Sequence, residues 1–208
     1  MKRRKKVGIF GGTFDPPHLG HLRIAETAVR QLELDLLFFV PAHVPPHKRG
    51  HGATSGVHRL AMLRAMARGN PRFKVSAVEI RRGGISYTID TVEAFHRRYP
   101  RAALYVIMGA DNLADFPRWK NPQRILALST LAVYRRPGIR RLREEAVVLK
   151  GKRFPMSSTA IRSVLRRGGS ADRWLAGAVM RYVRKHGLYR IKPGQNHGTE
   201  NSQNNCIH

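Results

Sequence analysis

VGIFGGTFDPPHLGH, residues 7–21, sets the architecture of this chain. The apolar run that opens it stops at Gly11 and Gly12, and so short a run between glycines predicts a buried strand rather than a helix. Asp15 then precedes two prolines, which is typical of a helix start with a capping carboxylate and proline in the first turn. We therefore predict a strand, a tight turn and a helix that begins near Pro17 with Asp15 as its cap.

Two histidines, His18 and His21, follow at a spacing of three residues. In a helix that begins near Pro17 they share one face of the first turn. They then lie beside unpaired backbone amides at the positive end of the helix, a place that favours phosphate. A metal-binding pair and two surface histidines are the alternatives. The zinc-protease pattern H-E-x-x-H is excluded, because the spacing differs and the glutamate is missing.

Strand and helix patterns alternate from residue 7 to residue 134. Strands are predicted at 7–10, 34–40, 73–80, 102–108 and 131–134. Helices are predicted at 18–32, 57–68 and 89–99, the last capped by Ser86 or Thr88, and a further helix ends at 125–128. This alternation predicts an α/β fold, a Rossmann-like doubly wound parallel sheet. Glycines, prolines and charged residues follow several strands directly, which predicts a single cleft at the carboxyl ends of the strands.

A second motif, SSTAIR, occupies residues 157–162. Its hydroxyls open a helix, so that hydroxyls and backbone amides converge where a phosphate could bind, and Arg162 could add a guanidinium fork. An ordinary helix cap beside a surface arginine is the alternative. We predict one domain over residues 1–190, with a small C-terminal helical part at about 157–190 that ends in a helix over 174–189. Residues 191–208, poor in apolar side chains, are predicted to be a disordered tail.

Composition adds a second class of function. The 208 residues include 39 Lys and Arg against 13 Asp and Glu, a formal charge of +26, which raises the hypothesis of a nucleic-acid-binding protein. The basic residues are spread along the chain, however, without zinc-finger spacing or an aromatic RNA-binding motif. Cys206 is the single cysteine and no run has the length of a membrane span. We expect a soluble, cytoplasmic protein with neither a membrane nor a nucleic acid as partner.

Eight stretches together resemble the bacterial nicotinate-nucleotide adenylyltransferases, within the nucleotidylyltransferase superfamily that carries an H-x-G-H motif. They are GGTFDPPHLGH (11–21), VPPHK (44–48), SYT (86–88), GADN (109–112), FPRWK (116–120), RRPG (135–138), SSTAIR (157–162) and HGLY (186–189). The first and SSTAIR are shared across the superfamily. VPPHK, SYT and FPRWK point to nicotinate mononucleotide as the acceptor.

The resemblance implies adenylyl transfer from ATP, with Mg²⁺, to nicotinate mononucleotide, giving deamido-NAD and pyrophosphate. The acceptor phosphate attacks in line, so the protein contributes positioning and charge stabilisation rather than a covalent nucleophile. The resemblance assigns His18 and His21 to the phosphates that undergo transfer, and no residue is assigned as a metal ligand.

The resemblance also divides the remaining site residues between the two substrates. Those expected to bind ATP are Gly11, Gly12, Thr13 and Phe14 through their backbone, Gly109 and Asp111 at the ribose, and Ser157, Thr159 and Arg162 at the β- and γ-phosphates. Those expected to bind nicotinate mononucleotide are Lys48, Tyr87, Thr88 and Trp119, the last by stacking on the pyridine ring.

The chain departs from the family between residues 136 and 157, where the connection is short and charged, and residues 146–149 are the candidate for the strand that usually precedes the serines. Two other functions are weighed. Adenylyl transfer to phosphopantetheine gives no reason for Trp119 or for SYT. A basic nucleic-acid-binding protein on a Rossmann frame predicts binding that weakens steeply with salt.

Overall fold

A computed structural model describes residues 3–45, 53–135, 146–152 and 154–190. Within them, six strands form one parallel sheet in the order β3-β2-β1-β4-β5-β6. The strands are β1 Lys6–Gly12, β2 Leu36–Pro41, β3 Phe73–Val75, β4 Ala103–Gly109, β5 Thr130–Arg135 and β6 Ala146–Lys150. This order is that of a doubly wound Rossmann-type sheet, so the predicted fold class is confirmed. The candidate strand at 146–149 is confirmed as well, because β6 pairs with β5.

Helices connect the strands and follow the last one. They are α1 Leu19–Gln31, α2 Gly56–Ala67, α3 Val78–Arg82, α4 Thr88–Arg98, α5 Ala110–Asp115, α6 Pro122–Leu128, α7 Ser158–Arg166 and α8 Gly177–Lys185, with a 3₁₀ turn at Phe116–Arg118. Among the described residues, no helix combines the length and the apolarity needed to cross a bilayer. The predicted tail, residues 191–208, lies outside the described residues, and the division into one domain stays a prediction.

Both faces of the sheet are packed, because successive side chains of each strand point to opposite faces. On β1, Val7 and Ile9 belong to one core and Phe10 to the other. The core around Phe10 includes buried residues of α1, α2, α7 and α8, and the core around Ile9 includes those of α4, α5 and α6. Burial on both sides explains why the strands read as nearly continuous apolar runs.

The strand order reverses between β1 and β4, and this is where the sheet opens. β1 stays paired with β2 as far as Gly12 opposite Pro41, whereas its last pair with β4 is Phe10 opposite Ile107. Beyond Phe10 the end of β1 therefore has a neighbour in the sheet on one side. Ligands of open α/β sheets bind at such a switch point, outside the carboxyl ends of the strands.

Two element predictions are wrong in extent. The strand predicted at 73–80 ends at Val75, and the chain turns into α3, which buries Glu79 at the rim of the sheet. The helix predicted at 174–189 is confined to α8, because Trp174 and Leu175 form a turn whose backbone amides both bond to the Ala171 carbonyl.

Gly8 shows how tightly β1 is enclosed. A Cβ at this position would lie 2.7 Å from Leu34 Cδ1 and 2.9 Å from Ile107 Cδ1, both in the core. We expect Gly8→Ala to lower the free energy of unfolding by about 1–3 kcal/mol through overpacking. The matched control is Gly69→Ala, where a Cβ meets nothing within 4 Å. Denaturant unfolding measures both, and equal stabilities of the two variants would contradict the expectation.

Candidate active site

Two cavities lie at the carboxyl edge of the sheet. The first, about 310 Å³, is here named the histidine cavity, and its lining includes Thr13, Phe14, His18, His21, Ser157, Thr159 and Arg162. The second, about 360 Å³, is named the tryptophan cavity, and its lining includes Gly11, Gly12, Thr13, Tyr87, Thr88 and Trp119. Thr13 lines both cavities, so they meet at this residue.

His18 and His21 cap the start of α1 reciprocally. The Nδ1 atom of His18 accepts a hydrogen bond from the Gly20 backbone N–H at 3.1 Å, and the Nδ1 atom of His21 accepts one from the His18 backbone N–H at 3.2 Å. The rings stack with their centroids 3.8 Å apart. The prediction that Asp15 caps this helix is wrong, because His18 is the N-cap and the Asp15 carboxylate accepts hydrogen bonds from Thr54 and Tyr189 instead.

These hydrogen bonds also set the protonation of both rings. Because each Nδ1 accepts a backbone N–H, the neutral form of each ring carries its proton on Nε2. Burial lowers the pKa of His18 from 6.5 to about 4. Burial, and then repulsion by His18, hold the pKa of His21 well below 6.5. At neutral pH the cavity therefore contains two neutral imidazoles, each with an Nε2–H donor.

Gly20, between the two histidines, keeps the cap closed. A Cβ here would lie 2.9 Å from His18 Nδ1 and 2.7 Å from Phe154 Cδ1. Phe154 stacks on the other face of the His18 ring, with centroids 5.2 Å apart and planes at 9°. A side chain at position 20 would push the imidazole away from the amide that it accepts, so the motif needs glycine here.

The SSTAIR motif lies across the histidine cavity from the imidazoles. Ser157 is the N-cap of α7 and its hydroxyl accepts from the Ala160 N–H at 3.2 Å. The Ser158 hydroxyl donates to the Pro16 carbonyl at 2.9 Å, which ties the start of α7 to the chain before α1. Arg162 donates to the Thr159 hydroxyl at 3.3 Å. Residues far apart in the sequence thus meet in one cavity.

Asp15, which also lines the histidine cavity, connects four parts of the chain. Its backbone carbonyl accepts from Arg162 Nη1 at 2.6 Å. Its buried carboxylate accepts from the Thr54 N–H at 3.2 Å and from the Tyr189 hydroxyl at 2.7 Å. Burial raises the pKa of Tyr189, and the charge of Asp15 raises it further, so the phenol stays protonated as the donor. The sequence analysis missed this role of Asp15 and Tyr189.

The tryptophan cavity is walled by the loops that follow β2 and α3 and by the segment after α5. Trp119 is half-buried, and the centroid of its ring lies 5.4 Å from that of Phe116. The Lys120 ammonium lies 4.6 Å from the centre of the Tyr87 ring. The two loops are joined by a bridge between Val44 and Ile85. Their contact brings SYT and the residues after β2 to one rim.

The predicted cap of α4 is wrong. Tyr87 is the N-cap and makes no side-chain capping bond, so neither Ser86 nor Thr88 closes the helix. The Ser86 hydroxyl instead accepts from the His43 N–H at 2.8 Å. The Ser86 hydroxyl therefore bonds to the loop after β2, although sequence-based capping preferences place it at the start of α4.

Glu79 is an acidic residue in the lining of the tryptophan cavity, and the sequence analysis missed it. It is buried and accepts from the Thr91 hydroxyl at 2.6 Å. Burial raises the pKa of its carboxyl, and the hydrogen bonds from Thr91 and Ser86 work in the opposite direction. The position of Glu79 between Val78 and Ile80, both apolar, was the signal in the sequence for its burial.

Three predicted site residues are not brought to these cavities by the described structure. Gly109 ends β4 and is the N-cap of α5, at the correct edge of the sheet, but it is not among the described residues that line either cavity. Asp111 lies in α5, and its side chain is outside the described part of the structure. Lys48 lies outside the described residues altogether.

A protein-built metal site is not present in the part of the chain that the structure describes: no three His, Cys, Asp or Glu side chains there converge on a point that could hold an ion. The Asp15 carboxylate, in the lining of the histidine cavity, already accepts two hydrogen bonds. Mg²⁺ takes several waters and substrate phosphates as ligands, so an ion carried by a triphosphate needs no such cage.

The lowered pKa values predict how stability depends on pH. Between pH 6.5 and about 4 the unfolded chain protonates His18 while the folded protein does not, so the free energy of unfolding should fall with falling pH by about 1.4 kcal/mol per pH unit for this residue. His21 adds a loss of the same sign.

The double variant His18→Asn, His21→Gln keeps an acceptor at each capping position and removes both titrating rings. Urea unfolding at pH 7, 6 and 5 should show a flatter pH dependence for this variant than for the unaltered chain. Identical slopes would contradict the neutral, buried state of the two imidazoles.

Comparison with known proteins shows which family the chain belongs to. The cytidylyltransferase-like family matches residues 9–164. A protein of Gemmatimonas aurantiaca, described as a probable nicotinate-nucleotide adenylyltransferase, is 42% identical over 209 residues, covering 95% of this chain and 99% of that protein. The nicotinate-nucleotide adenylyltransferase of Bacillus subtilis is 39% identical over 186 residues, covering 89% of this chain and 98% of its own length.

Solved structures agree at the level of the fold. The nicotinic acid mononucleotide adenylyltransferase of Plasmodium falciparum, solved with NaAD, superposes with a TM-score of 0.74 at 15% identity, over 89% of this chain and 98% of that one. With relatives of about 40% identity over nearly their whole length, the chain belongs to the nicotinate-nucleotide adenylyltransferase family.

Proposed function

We propose that this chain transfers the adenylyl group of ATP to nicotinate mononucleotide, releasing pyrophosphate and forming deamido-NAD (nicotinate adenine dinucleotide) in NAD biosynthesis. The observation that carries the proposal is the meeting of two cavities at Thr13. An in-line transfer needs the acceptor phosphate and the α-phosphorus of ATP to lie side by side. Two substrates in adjoining cavities satisfy that requirement at the junction.

The triphosphate occupies the histidine cavity in this proposal. His18 and His21 face the phosphates through their Nε2–H donors, and backbone amides from Gly11 to Phe14 surround the reacting end. Ser157, Thr159 and Arg162 hold the β- and γ-phosphates, since a helix N-terminus with a guanidinium nearby suits a polyanion. Gly109 and Asp111, at the end of β4, remain the predicted contacts of the adenosine ribose.

Nicotinate mononucleotide occupies the tryptophan cavity. The exposed face of Trp119 stacks on the pyridine ring, a flat apolar surface for an electron-poor ring. Tyr87 and Thr88 lie at the start of α4, whose first amides lack a side-chain cap and are suited to the nicotinate carboxylate. Lys48 is proposed at the acceptor phosphate.

The transfer itself then needs no covalent intermediate with the protein. An oxygen of the acceptor phosphate forms a bond to the α-phosphorus while the bond between that phosphorus and the α,β-bridging oxygen breaks, and the electron pair leaves with pyrophosphate. Neutral imidazoles donate hydrogen bonds to the charge that develops, without a proton transfer. Mg²⁺ carried by the triphosphate would neutralise part of the phosphate charge. The cytoplasmic location stays a prediction from the sequence.

A pyrophosphate-release assay with ATP tests the proposal. We offer nicotinate mononucleotide, nicotinamide mononucleotide and phosphopantetheine in parallel and expect release with nicotinate mononucleotide. The control His18→Asn keeps the helix cap and removes the imidazole, so its kcat should fall on the order of 10²-fold. Release with phosphopantetheine alone would support the other transferase. Absence of release with all three acceptors, together with salt-dependent binding to nucleic acid, would favour the nucleic-acid-binding alternative.

Substitution of Trp119 tests the division of the two substrates. Trp119→Ala should raise the KM for nicotinate mononucleotide about tenfold or more, since loss of an aromatic stacking partner costs about 1–3 kcal/mol. The KM for ATP should change less than about twofold. Trp119→Phe keeps a flat face and should recover most of the loss. Equal changes in both KM values would make Trp119 a packing residue.

A further inference from the structure

Arg59 is a charged residue in the interior of the protein. It lies on α2 and is 2% exposed, although arginine is among the residues least often buried. Met62, Leu63 and Met66, which follow at helical spacing on the same side of α2, are buried in the core. A guanidinium costs much free energy to bury unless its donors are satisfied, so its partners show what holds it there.

The partners of Arg59 are three backbone carbonyls from three separate segments. Its Nε donates to the Thr54 carbonyl at 2.8 Å, and its Nη1 donates to the Thr13 carbonyl at 2.9 Å and to the Ala42 carbonyl at 2.7 Å. Thr13 belongs to the loop after β1, Ala42 to the loop after β2, and Thr54 to the approach to α2. One rigid fork therefore fixes the relative position of all three segments.

Two of these carbonyls belong to residues of the proposed reaction centre. Thr13 lines both cavities, and Ala42 lines the tryptophan cavity. Thr54, the third, also donates its N–H to the Asp15 carboxylate. Arg59 itself lines neither cavity, and it holds the backbone of the residue at which they adjoin from within the protein.

The hydrogen bonds of Arg59 go to neutral carbonyls, while the nearby charges of Asp15 and Glu79 offset part of its positive charge. Burial lowers the pKa of the guanidinium, and the charge of Asp15 is the largest influence that opposes this. An arginine stays protonated in proteins even so. A buried positive charge behind the junction adds to the potential where two phosphate groups must approach each other.

We propose that Arg59 is a positioning residue for adenylyl transfer, which holds the Thr13 backbone at the junction of the two cavities and places a positive charge behind the reacting phosphates. The inference rests on the proposed function. Arg59 contacts neither substrate, so its effect passes through Thr13. Groups remote from Arg59, such as Trp119 and Ser157, supply the binding of the ground-state substrates. Loss of Arg59 therefore lowers kcat rather than raising KM.

The test compares three variants in the pyrophosphate-release assay. Arg59→Met keeps the length of the aliphatic side chain but removes the charge and the guanidinium donors. Arg59→Lys keeps the charge but loses the planar set of guanidinium donors. Arg64→Met, at an exposed position on the same helix, is the matched control for the substitution and the loss of one positive charge. Circular dichroism shows whether each variant is folded, and KM is measured separately for ATP and for nicotinate mononucleotide.

We expect kcat to fall about 10²-fold in Arg59→Met and about tenfold in Arg59→Lys, because small displacements of reacting groups cost this much. Both KM values should stay within about threefold, and Arg64→Met should match the unaltered chain. A folded Arg59→Met with kcat within threefold, a loss that appears only in KM, or an equal loss in Arg64→Met would overturn the inference. If Arg59→Met does not fold, Arg59→Lys decides by the same criteria. Failure of the unaltered chain with every acceptor would instead refute the proposed function.

Discussion

β1 lies between β2 and β4, and its unequal pairing with these two neighbours controls where ligands can enter. The backbone of Gly11 and Gly12 is held by β2 after the pairing with β4 has ended at Phe10. The chain can therefore turn there without losing its place in the sheet. The loop that follows runs along the opening and reaches both cavities at Thr13. The histidines and Arg162 line one of the cavities that this loop reaches, and Trp119 lines the other.

Much of this arrangement could be predicted from local patterns. Strands buried on both faces are continuous apolar runs, and the hydroxyl cluster at Ser157 starts a helix as predicted. The two helix caps that were predicted wrongly concern polar groups that bond to partners far along the chain. Asp15 binds Thr54 and Tyr189, which lie 39 and 174 residues away, and Ser86 binds His43. A rule that ranks residues for capping cannot anticipate such partners, because they become neighbours only after the sheet has formed.

Arg59 and Glu79 illustrate a second limit. Each is a charged residue in a stretch that otherwise reads as half-buried helix or strand, and the pattern favours placing it in solvent. Both lie inside, where backbone carbonyls hold the guanidinium and hydroxyls hold the carboxylate. The spacing of Arg59 with Met62, Leu63 and Met66 on one helical face was the signal available in the sequence.

The hydrogen bond between Asp15 and Tyr189 has a consequence for biosynthesis of the protein. Its partners are 174 residues apart, and the contacts of Pro16 with Ser158 and of Asp15 with Arg162 span 142 and 147 residues. At a translation rate of about 5–20 residues per second, the first of these residues leaves the ribosome on the order of ten seconds or more before its last partner is made. A nascent chain can therefore pair β1 with β2 early, yet it lacks one wall of the histidine cavity until residues 157–162 have been made. The hydrogen bonds that hold Asp15 are complete only after Tyr189 has also been made.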